Sequence, residues 1–197
     1  MSTEKMNTSI NIGINAGTIG RFAKLAQLGE QVFHVGDLAN LWNINNKNTL
    51  HTTVKRYSQA QLIFRAQKGM YAIKPITKID PYLLGIKALH KFAYVSTESI
   101  LSQAGIILQD VKYITLISSE SKKFSIGNIN YRSRQLDDKF LFQAEGLYIK
   151  NGIYLATTER AIADILYFCP NFYFDNRNNI DWKKVKKIQD NIYDFTK

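Results

Sequence analysis

Three short helix-patterned segments, a glycine-centred pair of strand-like runs, and a longer stretch mixing both patterns predict an α+β chain. The predicted order is an N-terminal winged helix-turn-helix over residues 17–76, then a mixed α+β domain over residues 77–197. Residues 1–16, rich in Ser, Thr, Asn and Gly, read as a flexible tail, with a short strand left open by the alternation of Ile10, Ile12 and Ile14.

The first helix spans Thr18 to Leu28, with Ile19, Phe22, Ala23 and Ala26 on one face and Gly29 as its stop. A second, Val35 to Trp42, points Leu38, Leu41 and Trp42 inward. Asn43 to Asn46 reads as a turn, and Asn45 or Asn46 caps the next helix through its side-chain oxygen. That third helix, Lys47 to Gln59, packs Leu50, Val54 and Tyr57 inward, at spacings of one and two helical turns. Leu62–Ala66 and Met70–Ile73 then form two strands around a tight turn in which Gly69 takes positive φ.

Pro75 and Pro81 bracket a linker. Beyond it, helices are expected over Tyr82–Phe92, Thr97–Gln103 with Ser96 as cap, Glu159–Phe168 with Thr157 as cap, and Asp181–Phe195. Strands are expected over Tyr113–Ile117, Phe124–Tyr131, Phe140–Phe142 and Gly146–Leu155, the last broken by an Asn151–Gly152 hairpin turn. Packing falls to Leu83, Ile86, Leu89 and His90, then to Ala161, Ile162, Ile165 and Leu166, then to Trp182, Val185, Ile188 and Ile192.

Composition narrows the class. With 45% hydrophobic and 12% aromatic residues among 197, the chain holds material for two small cores. No apolar run reaches the ~18–20 residues of a membrane span, and the start lacks a signal-peptide pattern, so a soluble cytoplasmic protein is expected. The single cysteine, Cys169, excludes an internal disulfide, and its apolar neighbours predict a buried thiol.

The charge of +10 points toward a polyanion, and its distribution says more. Between Asp37 and Asp80 no acidic residue occurs, while Lys47, Lys55, Arg56, Arg65, Lys68, Lys74 and Lys78 all fall inside. A merely solvated helix face normally mixes both signs. With Leu50, Val54 and Tyr57 inward, the opposite face of the third helix shows Lys47, Asn48, His51, Thr52, Lys55 and Gln59. Asn48, His51, Thr52 and Lys55 carry the groups that read base edges in a major groove. Lys47, Arg56, Arg65 and Lys68 suit phosphates, the last two from the wing.

Catalytic patterns are scarce. His34, His51 and His90 lack metal-ligand spacing, and neither a phosphate-cradling loop nor a nucleophile elbow occurs. Glu98, Asp110 and Lys112 form the nearest approach to a magnesium-nuclease trio, but Glu98 and Glu159 each have a simpler place at a helix N-terminus. Arg160 and Asp164 read as an i,i+4 pair on a helix surface. No enzyme, metal or cofactor is expected.

Several segments carry a resemblance. Val32-Phe-His-Val-Gly-Asp-Leu-Ala-Asn-Leu-Trp-Asn-Ile44, Asn48-Thr-Leu-His-Thr-Thr-Val-Lys-Arg-Tyr57 and Gly69-Met-Tyr-Ala-Ile73 resemble the N-terminal domain of the AbiE abortive-infection antitoxins, the AbiEi family. Tyr94-Val-Ser-Thr-Glu-Ser-Ile-Leu-Ser-Gln-Ala-Gly-Ile106, Tyr113-Ile-Thr-Leu-Ile117 and Ile153-Tyr-Leu-Ala-Thr-Thr-Glu-Arg-Ala-Ile-Ala-Asp-Ile-Leu-Tyr167 are similar to its second domain. The resemblance implies a type IV toxin–antitoxin antitoxin in phage defence. Such a protein binds operator DNA, characteristically inverted repeats, as a transcriptional autorepressor, and counteracts a nucleotidyltransferase-like toxin without needing a stable complex. It also makes Lys122, Lys123, Arg132 and Arg134 candidates for a secondary contact with DNA or a partner. The rival expectation is a stand-alone winged-helix regulator whose second domain senses a ligand or partner.

Overall fold

The computed structural model describes residues 16–193 and divides into two compact units between Lys78 and Ile79. The expected tail, its alternating isoleucines and Phe195 lie outside the described residues.

In the first unit the order is α1 (Ala16–Gln27), β1 (Val32–His34), α2 (Val35–Trp42), α3 (Lys47–Gln59), β2 (Phe64–Gln67) and β3 (Met70–Ala72). The three strands form one antiparallel sheet in the order β1-β3-β2. β1 has no counterpart among the expected strands: three residues between a helix stop and a helix start show too little alternation to signal one. α1 is rotated from its expected face. Leu25 is buried and Phe22 half-buried, whereas Ile19 is 59% exposed and Ala23 and Ala26 face outward. The larger Leu and Phe, one turn apart, remove more apolar area from water than the alanines would.

The core of this unit gathers Leu25, Phe33, Leu38, Trp42, Ile44, Leu50, Val54, Tyr57 and Ile63. Trp42 and Tyr57 stack obliquely at 4.8 Å and anchor α1 through their polar tips. The indole N–H donates to the Arg21 carbonyl at 3.2 Å and the Tyr57 hydroxyl to the Thr18 carbonyl at 2.9 Å. Burial raises the Tyr57 phenol pKa, against the opposing pull of Arg21 and of this hydrogen bond.

The second unit is mixed α and β. It runs α4 (Pro81–Leu89), β4 (Ala93–Val95), α5 (Glu98–Gln103), β5 (Ile114–Ser118), β6 (Lys122–Ile126), β7 (Ile129–Gln135), α6 (Asp138–Leu141), β8 (Leu147–Lys150), β9 (Ile153–Ala156), α7 (Thr158–Phe168) and α8 (Trp182–Ile192). One six-stranded sheet has the order β6-β7-β5-β4-β9-β8, with β5 parallel to β7 and β4 parallel to β9.

Several boundaries differ from expectation for identifiable reasons. α4 stops at Leu89 because His90 turns left-handed at φ 53°, so His90 is exposed and Ala93–Val95 becomes a buried strand. Leu84, Gly85, Ala88 and Leu89 are buried, with Leu83 and Ile86 only partly so. Phe124–Tyr131 is two strands, separated by a turn with Gly127 at φ 56°. Phe140–Phe142 is not a strand: Asp137 accepts from the Lys139 N–H and starts α6. Thr157 caps α7 as expected, through the Arg160 N–H. Ser96 caps nothing; its hydroxyl donates to Asp164, and α5 begins at Glu98, with Thr97 in the N-cap position but making no side-chain cap bond. Cys169 is exposed past the end of α7, Leu166 is partly buried, and Trp182 is 38% exposed.

The largest departure concerns Arg160 and Asp164. The pair is an i,i+4 ion pair, but both side chains are fully buried, beneath the sheet face bearing Tyr94. Helical spacing sets their proximity; burial comes from partners far along the chain. No helix among the described residues is long and apolar enough to cross a membrane.

Candidate nucleic-acid interface

α3 has the bounds its sequence predicts because its start is chemically fixed. The Asn46 side chain accepts from the Asn48 and Thr49 N–H groups at 2.9 and 3.1 Å, satisfying two donors that a helix start leaves open. We expect Asn46→Ala to cost about 1 kcal/mol, seen as a lower urea midpoint for the first unit, while Asn46→Asp stays near wild type.

Leu50, Thr53, Val54 and Tyr57 point into the core, so the other arc of α3 faces outward. Asn48, Thr52, Lys55 and Gln59 occupy the middle of that arc at 3.6 residues per turn, with Lys47 and His51 on one flank and Arg56 on the other. All seven are exposed. Thr52 differs from expectation in one respect. Its hydroxyl donates to the Asn48 carbonyl at 2.9 Å, leaving lone pairs and a methyl group for an outside partner.

The β2–β3 hairpin brings two more cations to the surface: Arg65 exposed on β2, and Lys68 in the turn beside Gly69, which takes φ 77°. A register shift between Arg65 and Gln67 bulges β2. The turn is tied down, since the Val35 N–H donates to the Gly69 carbonyl at 2.8 Å where α2 begins. Among the described residues, none of Lys47, Lys55, Arg56, Arg65 and Lys68 forms an ion pair. Their charge is therefore uncompensated among the described residues.

One neighbouring feature has no signal in the sequence. A cleft of about 390 Å³ between α2 and α3 is lined by Asn40, Asn45, Lys47 and His51 above Ile44 and Leu50. It adds two amides beside the predicted residues. Only the packing of α2 on α3 creates it.

In the second unit the four secondary cations do not form one surface. Lys123 and Arg132 lie directly opposite one another on β6 and β7, sharing a sheet face. Lys122 points to the other face, its ammonium 5.7 Å from the Phe124 ring, while Lys123 lies 5.6 Å from Tyr113. Arg134 is committed elsewhere: it pairs with Glu98 and sits 5.4 Å over the Phe168 ring. Arg134 is thus removed from the interface, and Glu98 is removed from the nuclease-like trio, whose Asp110 and Lys112 are exposed. Among the described residues no group of three or more His, Cys, Asp or Glu side chains is placed to hold a metal ion.

Comparison with protein-family models and with curated proteins finds no match for the chain.

Proposed function

We propose that the chain is a DNA-binding antitoxin that represses its own operon and counteracts a nucleotidyltransferase-like toxin. In this reading the first unit is a winged helix-turn-helix. α3 lies in the major groove, presenting Asn48, His51, Thr52 and Lys55 to base edges, and Lys47, Arg56, Arg65 and Lys68 meet phosphates. The observation that carries the reading is the exposure of Lys47, Lys55 and Arg56 on α3 and of Arg65 and Lys68 on the hairpin, none of which forms an ion pair among the described residues. A surface holding several uncompensated cations gains most from a polyanion whose counterions it releases. Lys123 and Arg132 fit a subsidiary contact with DNA or a partner on the same argument. Cytoplasmic location and the absence of catalysis belong to the same proposal.

Co-expression tests the antitoxin half. The chain is expected to restore growth to cells expressing the adjacent gene, provided that gene encodes a nucleotidyltransferase-like protein; unrelieved toxicity would remove the assignment.

A second reading is a stand-alone regulator that senses a small molecule. It is favoured by a cleft of about 420 Å³ in the second unit, with Ile114, Ile153 and Leu155 at its floor and Asp80, Tyr148 and Lys150 around it. A neighbouring gene unrelated to nucleotidyltransferases, with promoter affinity that changes on adding a metabolite extract, would select this reading.

A further inference from the structure

The six-stranded sheet ends differently on its two sides. At one edge β6 presents exposed Lys122, Lys123 and Ser125, and lysines along an edge discourage a second strand. At the other edge β8 exposes Tyr148 (46%) and Ile149 (60%), with β9 its only strand neighbour among the described residues. Ile149 lies opposite Tyr154, Tyr154 packs 5.2 Å from Phe92, and Phe92 packs 5.3 Å from Phe142. Since Phe142 is 60% exposed and Tyr154 39%, an apolar patch borders the open strand.

We propose that this edge docks a second copy of the chain, the two β8 strands pairing antiparallel about a two-fold axis at Ile149. A two-fold axis normal to the sheet keeps each face on its own side, so Ile149 meets Ile149 of the partner subunit and Tyr148 meets Lys150 of the partner subunit. On one face the two apolar patches then join across the axis. On the other, each ammonium lies beside a phenol ring and not beside a second ammonium, which avoids like-charge repulsion.

The area sets the strength. At ~200 Å² for a large side chain, the exposed parts of Tyr148, Ile149, Phe142 and Tyr154 offer about 400 Å² per copy, roughly half the ~800 Å² per partner of a stable complex. The dimer is therefore weak and concentration-dependent, suited to copies brought close together. This inference is independent of the DNA reading.

Sedimentation equilibrium of the full chain tests it. From about 1 μM to about 1 mM, the wild-type mass is expected to rise from 22.6 kDa toward twice that value. Ile149→Lys and Phe142→Lys, both at exposed positions, should remain monomeric with unchanged circular dichroism. Tyr173→Lys, at a 66% exposed aromatic outside this edge, should associate like wild type. A wild type monomeric throughout, or an Ile149→Lys variant that associates equally well, would overturn the proposal. So would a product of the adjacent gene that binds the wild type but not Ile149→Lys while self-association is absent.

Discussion

Arg160→Met is expected to destabilise the second unit by about 3–5 kcal/mol, because it leaves a buried carboxylate without its counter-charge. The arginine side chain is fully buried and every N–H of its guanidinium is engaged. Nε donates to Asp164 at 2.7 Å; Nη1 donates to the Gln143 and Glu145 carbonyls at 3.1 and 2.9 Å; Nη2 donates to the Tyr94 hydroxyl at 2.9 Å and the Phe140 carbonyl at 3.3 Å. Asp164 in turn accepts from Ser96 at 2.6 Å and from Tyr193. Burial works against the charged guanidinium, but Asp164, Tyr94 and Tyr193 outweigh it and raise its pKa. The double variant Arg160→Met/Asp164→Leu should recover part of the loss, since an apolar pair leaves no buried charge. Urea unfolding measures both. An Arg160→Met variant within about 1 kcal/mol of wild type would show that the network is not what holds this unit together.

The same network gives an alkaline limit. Burial, reinforced by Asp164, raises the Tyr94 and Tyr193 phenols well above their ordinary value, and burial with Asp80 pushes Tyr131 up to about 12. A raised phenol pKa stabilises the fold fully below the unfolded value near 10. That stability is lost as pH climbs from there through the folded value. The second unit should therefore weaken from about pH 10 upward, with the Tyr131 contribution exhausted near pH 12.

The second large effect concerns DNA. With ~4–6 phosphates neutralised, wild-type affinity for its own promoter should fall with salt at a log–log slope of about −4 to −5 per protomer. Lys55→Ala/Arg56→Ala removes two exposed, unpaired cations from α3 without touching its buried side, so folding should survive. Affinity is expected to drop by tenfold or more, and the slope to become shallower by roughly one for each phosphate left without its cation. Anisotropy titrations at several salt concentrations measure both quantities. Equal binding by the variant would mean that α3 does not face the duplex.

How much of the molecule is legible in the sequence varies with how local each cause is. α3 is legible because its cap, its apolar spacing and its outward polar groups lie within fourteen consecutive residues, Asn46 to Gln59. β4 is not, because all three of its residues are buried, so the alternation that marks a half-exposed strand is absent. α6 reads as a strand from its Phe-Leu-Phe run, and the deciding signal is the preceding Asp137. The exposed cations of the candidate interface are visible in composition. Arg134 is not separable from them, since Glu98, which neutralises it, lies 36 positions away. Arg160 and Asp164 look like surface charges for the same reason: Tyr94, Ser96, Tyr193 and the 140–145 carbonyls meet them only after folding.

The hydrogen bond from Val35 to the Gly69 carbonyl does more than close a turn. Together with the pairing of His34 to Met70, it fastens the hairpin tip to the start of α2, whose packing positions α3. In the DNA-binding reading proposed above, helix and hairpin would act as the two points of a locked caliper, whose opening is set when the first unit folds and not when a duplex arrives. Such an instrument would measure distance along the duplex as well as chemistry, rejecting any spacing that required the jaws to move.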